Sequence, residues 1–307
     1  MRNTHSIFLN ADHPKTPVKM MKQCIASLLV MLPLIQLEAQ REYLPTSEDL
    51  TRFHNTKTYV VLSDNLMSEY NFEIRDAIEK FWTITGYEFL EYKSFAEKSL
   101  DYNASFLYVA TVSFEKDKSN TRYIFLCLSL GGDDHETLDD LKDITNIPLS
   151  YYGVDEDEYT YKLGILLRFM QQHIKIITED PNLVSQTVFQ YYNDNMGSVK
   201  EKTLYLTDED LPQALATESK IRAIYPYDFQ IVEREKIKEL IMAEDENAVI
   251  LHKVGPQSKE IEDRVYKILM GTGDARFYYY DYHKTNSKNP DAFLKSDFER
   301  LTRAVPK

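Results

Sequence analysis

Two aspartates are the first residues in this chain that suggest chemistry. Asp64 follows the short β-branched run at residues 58–63, and Asp208 follows a similar run at residues 203–207. Carboxylates just past the C-terminal ends of parallel strands are where α/β sheets gather ligand-binding and catalytic groups. Asp64 and Asp208 could therefore mark a loop site, as an exported hydrolase would need. The simpler expectation is structural: each caps the helical segment after it by accepting backbone N–H bonds at the helix's positive end.

Other candidates divide the same way. Phe277-Tyr278-Tyr279-Tyr280-Asp281-Tyr282-His283 places aromatics on both faces of a strand. One face must meet the core, and the other, carrying Tyr278, Tyr280 and Tyr282, could stack on a sugar or a partner protein. Gly131-Gly132-Asp133-Asp134-His135-Glu136 could offer hard oxygens to a divalent cation, but its spacing fits no calcium loop, and an ordinary helix start explains it. Gly271-Thr272-Gly273-Asp274 precedes a strand rather than a helix, so it reads as a hairpin turn and not a phosphate loop. Cys127 sits inside the apolar run YIFLCLSL and is expected to be a small buried hydrophobe. His54, His135, His173, His252 and His283 form no zinc-binding spacing, and the chain contains neither GxSxG nor GxGxxG. No catalytic residue, metal or cofactor is assigned.

The elements that position these groups are an alternation of strands and helices. Strands are expected at residues 58–63, 87–92, 105–114 and 122–130, with a helix at 68–82 and a short one at 93–100. Helical segments over 159–177 and from 181 to about 192 follow, then strands at 203–206, 227–232 and 248–254 with helices at 211–224 and 233–243 between them. Two extended segments, 264–270 and 275–283, form a hairpin, and a helix over 292–304 closes the chain. A similar closing segment is expected at 137–144.

The second half thus repeats the first. Lys57-Thr58 opens one lobe and Lys202-Thr203 the other, and Tyr87-Glu88-Phe89 is paralleled by Tyr227-Asp228-Phe229. The fold class is α/β (or α+β): two related lobes with mixed sheets, at 57–150 and 200–307, joined by a helical connector at 151–199. Residues 40–56 are a polar lead-in.

Residues 20–39 have the order of an export signal. A basic stretch ends at Lys22, an apolar run covers residues 25–35, and Leu37-Glu38-Ala39 offers a cleavage site before Gln40. The apolar run is too short to span a bilayer. Residues 1–39 are read as signal peptide plus an extended start, and the protein as exported to the periplasm or beyond, with no transmembrane span in the mature chain.

Composition limits the partners. Of the 307 residues, 43% are hydrophobic, enough for a substantial core, and 49 acids outweigh 36 bases for a net charge of −13. Such a chain repels phosphate backbones, so nucleic acid is excluded as a partner.

Two local resemblances point the same way. Phe229-Gln230-Ile231-Val232-Glu233-Arg234, with Ile237 and Leu240-Ile241 after it, resembles the strand-to-helix junction of the CsgG/TolB-N-terminal type of envelope α/β domain. The first repeat departs from it, with Tyr92-Lys93-Ser94 in place of Val-Glu-Arg. Tyr191-Tyr192-Asn193 before Lys202-Thr203-Leu204 resembles exported cell-envelope proteins with duplicated α/β lobes. Both resemblances imply a binding or assembly role in the cell envelope, with an envelope protein or a glycan as partner. The function expected is a non-enzymatic binding or assembly module; the alternative is an exported hydrolase.

Overall fold

The computed structural model describes residues 44–114, 121–133, 135–185, 187–257 and 262–306. The expected export signal at 1–39 lies outside the described residues, as does Asp134. Among the described residues, no helix is long and apolar enough to cross a membrane.

Helix α1 (Ser47–Phe53) opens on a capping box between Thr46 and Asp49. Strand β1 (Lys57–Leu62), helix α2 (Glu69–Phe81), strand β2 (Gly86–Glu91), the short helix α3 (Phe95–Lys98) and strands β3 (Ala104–Val112), β4 (Tyr123–Leu130) and β5 (Lys142–Tyr151) complete the first half. Helices α4 (Leu163–Glu179) and α5 (Thr187–Asn193) connect it to the second. There β6 (Thr203–Leu206), α6 (Glu218–Arg222), β7 (Phe229–Ile231), α7 (Arg234–Ala243), β8 (Ala248–Val254), β9 (Arg264–Gly271), β10 (Phe277–Lys284) and α8 (Lys295–Arg303) follow.

The two sheets have one topology. Their orders are β2-β1-β3-β4-β5 and β7-β6-β8-β9-β10. In each, the first strand pairs in parallel with the second and third, and the last three are antiparallel. Irregularities also recur. The pairing of β4 with β5 skips Leu149 and Ile144, and that of β9 with β10 skips Tyr278, which matches Ile144 in its place in the ladder. A bulge retained at one position in both halves is a built feature of the repeat.

A turn repeats with it. Asp101-Tyr102-Asn103-Ala104 and Asp245-Glu246-Asn247-Ala248 lead into β3 and β8. In each, the Asp Oδ1 accepts the Asn N–H, at 2.9 and 2.8 Å. The Asn carbonyls then accept the N–H groups of Lys57 and Thr203, at 3.1 and 2.8 Å.

Those bonds correct the sequence alignment. Lys57 pairs with Ala104 and Thr203 with Ala248, so Lys57 corresponds to Thr203 and Tyr59 to Tyr205, one residue from the matching of the Lys-Thr pairs. Thr58 faces Tyr87 while Leu204 faces Phe229, which moves the second strands by two.

The segment at 137–144 is also corrected. It is not a closing helix: a single turn at Leu138–Asp140 leads into β5. Pro148 lies within β5 and is tolerated because β5 is an edge strand. The helix expected at 211–224 is broken into a turn at Gln213–Leu215 and the short α6.

The halves share a core. One face of the second sheet (Ile250, Ile268, Met270, Tyr280) packs into the same apolar cluster as the first sheet, and the other face (Val249, Leu251, Leu269, Tyr279) builds a smaller cluster with Phe293, Phe298 and Leu301. Helix α4 lies between the halves. Its Gly164 lets α2 and α7 approach closely, since a Cβ there would come within 2.7 Å of the Phe81 ring and 3.2 Å of Ile241. Its Phe169 stacks on Phe277 at 3.6 Å, and its Arg168 donates to the carbonyls of Thr272 and Gly273.

Candidate functional site

Where the two halves meet, a cleft of about 470 Å3 opens. Leu149, Ser150 and Tyr151 at the end of β5 form one wall, and the chain from Val154 to Lys162 forms the floor leading into α4. The opposite wall belongs to the second sheet: Glu209 and Asp210 after β6, Arg234 at the start of α7, Lys253 to Gly255 at the end of β8, and Pro290 with Asp291. The cleft thus lies past the C-terminal ends of the parallel strands β6 and β8, the side on which α/β sheets hold ligands.

The local sequence explains its charged lining. Strand β6 ends in a capping box, with Asp210 Oδ2 accepting Thr207 N at 3.1 Å and Thr207 Oγ1 at 2.9 Å. That turn presents Glu209 to Arg234, which grips it with two bonds of 2.9 and 2.6 Å. The bond to Arg234 lowers the Glu209 pKa against the opposing effect of burial, and the same bond raises that of Arg234. Lys253 meets Asp291 Oδ1 at 2.9 Å, and Asp291 Oδ2 accepts Gln257 N at 2.7 Å. Gly255 makes that fold possible, because a Cβ there would lie 2.3 Å from Asp291 Oδ1. Glu158 Oε2 accepts Gln257 Nε2 at 2.7 Å and lies 3.4 Å from Arg234.

Lys162 differs from the other cations. It is 6% exposed and lines the cleft. No carboxylate oxygen of the described residues lies within 4.0 Å of its Nζ. Burial works against its charge, while Tyr161, Asp210 and Glu209 favour it, and the balance holds its pKa above the ordinary lysine value. It also stands at the amino end of α4, where the helix dipole disfavours a cation.

The residues singled out from sequence lie elsewhere. Asp64 and Asp208 are exposed and neither lines the cleft. Neither is the cap: Glu156 reaches across to accept Tyr70 N at 3.0 Å and Ser68 Oγ at 2.7 Å at the start of α2, and Asp210 rather than Asp208 closes the box after β6. Asn71 Oδ1 accepts Ser63 N at 2.8 Å and ties down the end of β1.

Tyr278 and Tyr280 are buried. The Tyr278 hydroxyl donates to Asp274 at 2.6 Å, and the Tyr280 ring stacks on Phe189 at 4.2 Å. Tyr282 is half-buried, with the Arg264 guanidinium 5.4 Å from its ring centre. Buried rings offer no open face: Tyr280 packs on Phe189 of the connector, whereas the bulge at Tyr278 turns that ring into the smaller cluster with Phe293.

The glycine pair at 271–274 forms the β9–β10 turn, with Ala275 N donating to Gly271 O at 2.9 Å. His135 Nε2 is 3.0 Å from Ser99 Oγ. Among the described residues, no group of three His, Cys, Asp or Glu is placed to hold a metal ion. Cys127 is buried in β4.

Of the cleft residues, sequence reasoning had touched only Arg234, in the strand-to-helix junction. Lys162 carried one usable signal, a lysine directly before the apolar run Leu163-Gly164-Ile165-Leu166-Leu167, where burial of its charge would need an explanation.

Comparison of the chain with protein-family models, with curated proteins and with solved structures finds no match.

Proposed function

We propose that this chain is an exported binding module that holds a small polar ligand in the cleft between its halves and does not turn it over. The observation that carries this reading is the cleft's construction. Its charged walls are fixed by hydrogen bonds and ion pairs between segments far apart in sequence, a preorganised arrangement suited to recognition. Acyl transfer would need a nucleophile beside a base. Ser150 is the aliphatic hydroxyl in the lining, its Oγ donates to Tyr151 O at 3.2 Å, and no histidine lines the cleft among the described residues. Export rests on the basic, apolar and small-residue order of residues 20–39.

Native mass spectrometry of protein purified from its own cell envelope tests the binding reading. A small molecule should remain bound and should be lost from Ser150→Trp, which fills the cleft. Retention by the filled variant, or turnover of the released compound by the wild type, would refute it. N-terminal sequencing of the same sample should start near Gln40.

A further inference from the structure

We infer that the ligand of this cleft is a zwitterionic small molecule of the α-amino acid class, its carboxylate anchored on Lys162 and its ammonium on Asp210 and Glu158. The inference rests on the cleft being the binding site.

Charge matching carries the argument. Three cations and four carboxylates line the cleft. Arg234 is engaged by Glu209 and Lys253 by Asp291. Lys162 is left, 6% exposed and at the cleft wall, with no anion of the described residues inside 4.0 Å. Its Nζ lies 5.0 Å from the centre of the Tyr161 ring, and a cation at a cleft wall with no anion in contact can take one from a ligand. Nothing in the packing of α4 requires a charge there, because the next four residues are buried apolar or glycine. An anionic group entering the cleft supplies the missing partner.

The size of the negative charge is set by the surroundings. Glu158, Glu209, Asp210 and Asp291 would all repel a phosphate dianion, whereas a single carboxylate asks for one cation and finds one. The acids also have capacity left. Asp210 uses Oδ2 for its cap and Glu158 uses Oε2 for Gln257, and each keeps a second oxygen with no donor among the described residues. A carboxylate has room for more than one donor per oxygen. An ammonium placed there leaves the net charge of the filled cleft unchanged, which a simple anion would not.

The test is calorimetric titration of the purified protein with each of the twenty α-amino acids, their carboxamides, acetate, methylammonium and inorganic phosphate. At least one amino acid should bind, and its carboxamide should bind at least tenfold more weakly. Lys162→Met should weaken that amino acid at least tenfold and abolish the preference for acid over carboxamide, while the variant keeps a cooperative melting transition. Equal affinity for acid and carboxamide, or full binding by Lys162→Met, would overturn the inference. Binding of phosphate or methylammonium alone, abolished by Ser150→Trp, would overturn the ligand class and leave the cleft as the site. No binding by any probe at 10 mM, on the order of the weakest useful affinity, would overturn the inference, and the mass-spectrometric experiment would decide the cleft separately.

Discussion

Asp297 should be among the most sensitive positions in the second half. It is 1% exposed and so is Lys267, whose Nζ lies 2.6 Å from Asp297 Oδ1. The same oxygen accepts the Tyr279 hydroxyl at 2.6 Å, and Oδ2 accepts Leu294 N at 2.7 Å, closing the amino end of α8. Asp297→Ala removes all three interactions and strands a buried ammonium. Breaking a buried pair costs about 3–5 kcal/mol, and a lost cap adds about 1 kcal/mol. Asp281 Oδ2, 3.6 Å from Lys267, offsets part of this, so the expected loss is about 3–4 kcal/mol. The ladder also supplies a control. Lys267 corresponds to Leu126 in the first half, which is fully buried. Combining Lys267→Leu with Asp297→Ala removes both charges and should be less destabilising than Asp297→Ala alone. Urea denaturation of the three proteins makes the comparison. A loss below about 1 kcal/mol for Asp297→Ala, or a double variant weaker than the single, would refute the reasoning.

Two further outcomes are expected. Burial lowers the pKa of His173 to about 4 and that of His252 to about 3, from 6.5, with Lys162 contributing at His252 and its bond to Pro148 O opposing. The unfolded chain therefore takes up protons near pH 6.5 that the folded protein refuses, so the stability from these neutral rings is full above pH 6.5 and is lost as the pH falls. By pH 5 the loss is about 2 kcal/mol for each ring; urea midpoints at pH 7.5 and 5 measure it, and His252→Gln should remove about half of the difference, an unchanged difference ruling the account out. Glu156→Ala should destabilise the protein by about 1 kcal/mol through loss of the α2 cap while Asp64→Ala stays within about 0.5 kcal/mol of wild type; the reverse ranking would restore Asp64 as the cap.

Strand positions were readable where side chains alternate or run apolar, as in β1, β4 and β8, because that pattern is local. Strand β5 was not, since Lys142, Asp143 and Asn146 dilute its apolar residues and Pro148 argues against a central strand. The repeat was readable in order but not in register. Matching Lys-Thr pairs and tyrosines misplaced it by one and two residues, whereas the Asp-x-Asn-Ala turn, whose side-chain bonds fix the backbone, gives the true frame. The cleft was beyond reach because its residues run from Leu149 to Asp291 and meet only through the packing of the halves. After β6, sequence reading singles out Asp208, one and two positions short of Glu209 and Asp210, which line the cleft.

The two halves share a topology but have diverged in the place where a site can form. In the first, the space beyond β1 is closed by protein: Asn71 holds Ser63, and Glu156 fills the start of α2 with a carboxylate. In the second, the corresponding end is open and lined with charge. Lys253 stands where the first half has Val109. The connector supplies both Glu156 and Lys162, six residues apart, so one short segment stoppers the first crevice and floors the second. The walls of that crevice are also held in register with each other. His252 Nε2 donates to Pro148 O at 2.8 Å across the halves, Phe169 stacks on Phe277, and one apolar cluster runs through both sheets. A shared core of this kind resists hinge motion, because opening it would expose packed apolar surface. On the binding reading proposed above, such a cleft selects by fit to preformed charge, with the ammonium of Lys162 as the cation that no carboxylate of the described residues contacts.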